Sequence, residues 1–208
     1  MKRSISLWLT SLCLSAFALA QTPQEIVSRM ESELDKHEDD GVGMVVDVKV
    51  PVIGVLSTKT YLLGDKTRAE VKMKDVAVVN WSDGQTVWTY NSQKNEVTIE
   101  KQKSKDKSES ENDMELFDGI AEGYDLSLDK ETDKAWFIHC KKQKANKDKD
   151  APKAIDIVVS KADYHPLSLS AKVAGVNMTI RDISLGVTEK QVTFDAAEFP
   201  GATIVDKR

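Results

Sequence analysis

Three histidines and two cysteines are the side chains best suited to metal or nucleophilic chemistry here. His37, His139 and His165 lie far apart in segments of different pattern, and no HExxH spacing joins any of them. His139 and Cys140 are neighbours on a run that reads as a strand. Their side chains therefore point to opposite faces and cannot grip one ion together. No CxxC, no GxSxG and no glycine-rich phosphate loop occurs. Acidic residues are many, but they fall on wet faces, in turns and in loops. A carboxylate pair assembled from separate segments stays open at this level. No metal and no cofactor is expected, and binding is a better expectation than enzymatic catalysis.

The first residues, Met1-Lys2-Arg3, precede an apolar run from Ile5 to Leu19 that closes on Ala18-Leu19-Ala20. A basic start, an apolar middle and a small-x-small end read as a secretory signal over residues 1–20, leaving one domain over 21–208. Cys13 lies inside that signal. Leu12 before it and Thr10 three before it do not fit a bacterial lipidation box, so no lipid is expected there. Only Cys140 would survive processing; it cannot form an internal disulfide, and Trp136-Phe137-Ile138 ahead of it mark it as a buried strand thiol. Residues 1–20 carry Lys2 and Arg3 and no acid, so their removal takes the formal charge from −5 to −7. A net-acidic chain argues against nucleic acid as a partner.

Thr22-Pro23-Gln24-Glu25 has the makings of a helix start, with Thr22 as N-cap, Pro23 at the first position and Glu25 completing a capping box. Ile26, Val27, Met30 and Leu34 then recur at helical spacing as far as about His37. From Gly43 the period changes to two. Strands are expected over Met44–Val50, Leu56–Leu63, Arg68–Met73, Val76–Trp81, Thr86–Tyr90 and Val97–Ile99, joined by short turns such as Ser82-Asp83-Gly84-Gln85. Lys101 to Asp113 holds no apolar residue and reads as a loop. Met114, Leu116, Phe117, Ile120 and Ala121 follow as a second short helix. Further strands are expected at Tyr124–Leu128, Ala135–Lys141, Ile155–Ser160, Leu167–Val173, Val176–Ile183 and Val192–Phe194. The charged insert Lys141–Lys153 is a long hairpin loop, or a basic patch for an acidic partner. About ten strands and two helices without βαβ alternation give a mainly β (α+β) chain. The expected architecture is one strongly curved antiparallel sheet with helices over one face.

The run Asp83-Gly84-x-Thr86-x-Trp88-x-Tyr90, between two strands and followed by Val97-Thr98, resembles the central motif of the periplasmic outer-membrane lipoprotein carriers (the LolA type). The N-terminal helix, the second helix after a polar loop, and the ending Phe199-Pro200-Gly201 with Ile204-Val205-Asp206 extend the resemblance over most of residues 21–208. The resemblance implies an unclosed antiparallel β-barrel, a half-barrel, whose concave apolar face is lidded by helices. It also implies a monomer in the periplasm that shields lipoprotein acyl chains. Its implied partners are an inner-membrane lipoprotein-releasing complex and an outer-membrane acceptor. The family often has Lys-Arg-Pro after its early strand, where the Arg latches the lid. Here Leu62-Leu63-Gly64-Asp65 stands at that place, and Arg68 is the next basic residue. A second reading is a lipid- or lipoprotein-sensing scaffold module that regulates a membrane complex.

Every exposed acyl CH₂ costs about 0.8 kcal/mol in water, so a carrier needs a broad and adaptable apolar lining. The candidate groove residues are Met44, Val46, Val48, Val71, Met73, Trp88, Tyr90, Leu167, Leu169 and Met178. The candidate lid residues are Ile26, Val27, Met30 and Leu34 on the first helix and Met114, Phe117 and Ile120 on the second. Met30, Met44, Met73, Met114 and Met178 suit either an adaptable lining or ordinary core packing. Trp81, Trp88 and Trp136 suit core packing as well.

Overall fold

The computed structural model describes residues 21–52, 54–103 and 119–208. The expected leader with Cys13, most of the polar loop after Lys101, and Met114, Leu116 and Phe117 of the expected second helix lie outside the described residues.

The first helix, α1 (Pro23–Asp35), begins as its sequence dictates. The Thr22 hydroxyl accepts from the Glu25 N–H at 3.2 Å, and the Glu25 carboxylate accepts from the Thr22 N–H at 2.9 Å. Such a cap contributes about 1 kcal/mol. Beyond α1 the chain turns at Gly41, which has φ 72, and a Cβ there would lie 2.5 Å from the Leu62 carbonyl oxygen. Only glycine meets both demands.

Twelve strands follow: β1 (Val42–Val50), β2 (Gly54–Leu63), β3 (Lys66–Met73), β4 (Val76–Ser82), β5 (Thr86–Asn91), β6 (Glu96–Lys101), β7 (Tyr124–Glu131), β8 (Ala135–Lys142), β9 (Ala154–Ser160), β10 (Pro166–Val173), β11 (Val176–Leu185) and β12 (Thr203–Asp206). Short helices α2 (Ile120–Gly123) and α3 (Glu189–Val192) stand before β7 and after β11. All strands join one sheet in the order β12-β6-β5-β4-β3-β2-β1-β11-β10-β9-β8-β7. Every neighbouring pair is antiparallel except β12 with β6, which is parallel. β7 and β12 do not pair, so the sheet is an open half-barrel with two edges. Eleven of the twelve segments expected as strands are strands, and Thr203–Asp206, which pairs with β6, is the one added. Val192–Phe194 is not a strand: Val192 ends α3, and the chain continues to Asp195 outside the sheet.

Two meanders, β1–β6 and β7–β11, meet where β1 pairs β11. Arg181 of β11 reaches across this seam to Asp47 of β1, Nε to Oδ2 at 2.7 Å. The guanidinium, with the Ser57 hydroxyl, holds the Asp47 carboxyl below the usual carboxylate range.

Candidate binding groove

Because cross-strand partners share a face, the register shows what each face carries. One row runs Leu128-Ile138-Ile157-Leu169-Ile180-Val46-Thr58-Val71-Val78 from β7 to β4. A second runs Leu126-Cys140-Ile155-Ala171-Met178-Val48-Leu56 from β7 to β2. Neither row holds a charged residue. This is the inner face, and α1 packs on its β7–β9 half.

Ile26, Val27, Met30 and Leu34 of α1 are buried there against Trp136, Ile138, Ile157 and Leu169 in one core. The helix is tied on two sides, to Tyr164 and to Ala121. Gln21 Nε2 donates to the Tyr164 hydroxyl at 2.8 Å, and Arg29 Nη1 donates to the same oxygen at 2.9 Å. Gln24 donates to the Ala121 carbonyl, and the Ala121 N–H donates to the Glu31 carboxylate at 3.1 Å. α1 and α2 are thus joined as a pair, with Ile120 buried beneath them.

Beside that pair the described residues do not fill the inner face. A cavity of about 370 Å³ lies between α2, the β8–β9 loop and the ends of β9–β11. Its apolar wall is Ile120, Tyr124, Ile155, Leu169, Ala171 and Met178, and Asn146, Asp148 and Asp150 stand in the loop at its mouth. The volume falls in the range of about 300–1,000 Å³ usual for small-molecule pockets. A neighbouring concavity of about 670 Å³ continues round the strand ends, sharing Ala171, Val173 and Met178.

The expected groove residues divide. Met44, Val46, Val48, Val71, Met73, Leu169 and Met178 lie on the inner face, and of these only Leu169 and Met178 line the cavity. Met44 is core, whereas Met73 is exposed. Leu167 sits at the register shift between Pro166 and Ser168 and is 43% exposed, so it does not continue the Leu169 row. Trp88 and Tyr90 lie on the outer face, because Trp88 pairs Trp81 and Tyr90 pairs Val79, out of phase with Val78 and Asn80. They cannot share a groove with Val46 or Val71. The structure also adds Tyr124, Ile155 and Ala171 to the lining, and Ile120, expected in the lid, stands in its wall.

Trp88 and Tyr90 instead receive the C-terminal arm. Phe194 stacks on Trp88 at 5.8 Å and meets Trp81 edge-on at 5.4 Å. Phe199 packs at 4.2 Å from Tyr90 and 5.5 Å from Trp81. Arg68 lies 5.1 Å above the Trp81 ring, donates from Nη1 to the Gln191 carbonyl at 3.5 Å, and is 4.0 Å from Glu198. Its Nε is 2.9 Å from Glu70 but at an angle that makes no hydrogen bond. Arg68 therefore fastens the arm to the outer face, where it makes no contact with α1.

The three histidines have separate partners: Asp40 for His37 at 2.6 Å, Asp156 for His139 at 2.7 Å, and the Ile183 carbonyl for His165 at 2.8 Å. Asp129 joins His139 and Asp156, with ligand atoms within 4.8 Å of one another on the outer face. Three strands supply that cluster, which is why spacing along the chain did not reveal it. Cys140 is fully buried, and burial pushes its thiol up to about 12. The neutral thiol is a poor nucleophile. Native protein at neutral pH is therefore expected to resist iodoacetamide, with full labelling only in denaturant, as read by intact mass. Native labelling at the rate of a free thiol would show that this part of the core opens.

No protein-family model and no curated protein sequence matches the chain. Solved structures similar to it include the lipoprotein LppX of Mycobacterium tuberculosis, 12% identical with a TM-score of 0.47, over 76% of this chain and 96% of that one. An uncharacterized conserved protein from Thermus thermophilus is 18% identical with a TM-score of 0.43, over 88% of this chain and 98% of that one. A LolA superfamily protein from Nitrosomonas europaea is 10% identical with a TM-score of 0.30, over 85% and 99%. These identities and scores are too low for any of the names to say what this chain binds.

Proposed function

We propose that the chain is a periplasmic carrier that holds lipoprotein acyl chains on the inner face and delivers lipoproteins to an outer-membrane acceptor. One observation carries the reading: an apolar cavity that the described residues leave open lies beside the α1–α2 pair, on a face whose central rows hold no charge. An acyl chain laid there leaves water at a gain of about 0.8 kcal/mol per methylene and meets no buried ionised group. The sulfur-containing and small side chains of Met178 and Ala171 give that wall adaptability. No described helix is long and apolar enough to cross a membrane, and the proposal places the chain in the aqueous space between two membranes. The donor would be an inner-membrane lipoprotein-releasing complex.

The test is chemical. Protein isolated from its native compartment is extracted into organic solvent, and the extract is examined by mass spectrometry for acylated peptides. In parallel, a triacylated lipopeptide competes with a fluorescent fatty acid for the purified chain. Co-purifying acylated peptide and one-to-one displacement are expected. Folded protein that yields no acylated material and shows no displacement would end the reading.

A further inference from the structure

One end of the half-barrel is built unlike the other. Three hairpin tips stand side by side there, because β4-β3-β2-β1-β11-β10 are consecutive in the sheet. They are the β3–β4, β1–β2 and β10–β11 turns, and apolar side chains stand exposed in or beside them, Val52 in its turn and Val55, Met73 and Val173 at the adjoining strand ends. Val52 is wholly exposed at 106%, Val55 is 62% exposed, and Met73 and Val173 are 50% and 36% exposed. Four of the seven large apolar side chains exposed among the described residues are therefore on this one rim.

The backbone adds a second observation. Val52 has φ 71, Lys74 φ 52 and Ala174 φ 48, the left-handed region that asparagine or glycine fills without strain. For a β-branched residue such a φ is an outlier. An exposed valine held in a strained conformation does nothing for the fold. Strain retained where packing gains nothing points outward, to a contact made by the tip.

Charge identifies the contact. Residues 49–55, 72–76 and 172–176 hold four lysines and a single acid, Asp75, in a chain whose formal charge is −5. Lys49, Lys72, Lys74 and Lys172 are exposed. None of them is in an ion pair with a described residue. Apolar points among basic side chains match a bilayer interface, where valines enter the acyl boundary and ammonium groups meet phosphates. A second copy docked on the same rim would set lysines against lysines. Within a net-acidic chain the three tips are a local excess of positive charge, which anionic lipid attracts.

We propose that this rim docks the protein on the headgroup region of an anionic phospholipid bilayer, with Val52 and Val55 entering the interface and Lys49, Lys72, Lys74 and Lys172 facing the phosphates. A concavity of about 560 Å³ between the β1–β2 and β10–β11 tips, lined by Lys49, Pro51, Val52, Lys172 and Val176, gives a headgroup a seat. The rim stands on exposure, backbone and charge alone, whatever occupies the inner face.

Flotation with liposomes tests it, using the full chain so that residues 1–20 are common to every preparation. Vesicles of phosphatidylcholine with phosphatidylglycerol are compared with phosphatidylcholine alone. The full chain is expected to float with the anionic vesicles, less so as salt rises. Val52→Asp with Val55→Asp should weaken binding by roughly tenfold or more. Lys49→Glu with Lys172→Glu should weaken it by roughly fivefold per charge removed. Ile204→Asp, a charge at an exposed apolar site elsewhere, should leave binding unchanged, and Val52→Asp should not lower the melting temperature, because aspartate tolerates the left-handed backbone better than valine. Equal flotation with neutral vesicles, or flotation indifferent to the two aspartates, would overturn the proposal. So would a dimer that Val52→Asp dissolves in a protein that floats with neither lipid.

Discussion

Trp81→Ala is expected to lower stability by about 3–5 kcal/mol, the loss usual for a large aromatic removed from a core. Trp81 is 1% exposed and touches Phe194, Phe199 and Arg68, so its removal takes away the surface on which the C-terminal arm lies. β12 should loosen with it, because Thr203–Asp206 is carried to β6 by that arm. The contrast is Trp81→Phe. The indole Nε1 is buried without a hydrogen-bond partner among the described residues, so a phenyl ring keeps most of the packing and removes that donor. That variant should stay within about 1.5 kcal/mol of the parent. Denaturant midpoints give both numbers, and hydrogen exchange at Thr203–Asp206 reports β12. If Trp81→Ala costs no more than Trp81→Phe, the arm is not held by this cluster.

Ala171→Phe is expected to block acyl binding while leaving the fold intact. Ala171 lies between Ile155 and Met178 on the inner face and lines the cavity. A phenyl group there takes the space of several methylenes. Excluding even three costs a ligand about 2.4 kcal/mol, roughly fifty-fold in affinity. In a filled core the same change would cost about 1–3 kcal/mol of stability through overpacking. Lys141→Phe, exposed on the outer face of β8 and outside the lining of both concavities, should affect neither quantity. Fluorescent fatty-acid titration and thermal melting on the same samples decide the matter. A folded Ala171→Phe protein that binds the probe as tightly as its parent would move the groove elsewhere.

The sequence disclosed the strands well, since alternation such as Met44-Val46-Val48 and turn residues such as Asp83-Gly84 are local signals. The Asp83 carboxylate does accept from the Gln85 and Thr86 N–H groups at 2.9 and 2.7 Å. The helix start at Thr22 was legible for the same reason. What escaped was phase between distant strands. Trp88 and Tyr90 share a face, but whether it is the face of Val46 depends on every register from β1 to β5. An irregularity placed Leu167 out of its row, and three strands had to meet before Asp129 could stand beside His139. The apolar pattern of Val192 and Phe194 suggested a strand, whereas Val192 closes a capped turn of helix at Thr188 and Phe194 fills an aromatic gap. Likewise Ala171 and Ile155 share a cavity wall with Ile120 and Tyr124 only once β9, β10 and α2 are brought together.

The seam between β1 and β11 has a consequence for the order of folding. Val42 pairs with Leu185, and Gln21 at the entry to α1 bonds Tyr164, 143 positions away. The β1–β6 meander closes through short turns and can form early. The apolar stripe of α1, however, has no surface to cover until β7 to β9 exist. Contacts of such separation are slow to form, and each doubling of the loop adds about 0.6 kcal/mol of closure entropy. A chain emerging from its N-terminus therefore keeps α1 undocked until most of its length has appeared. The helix that comes first in the sequence is among the last elements to find its place.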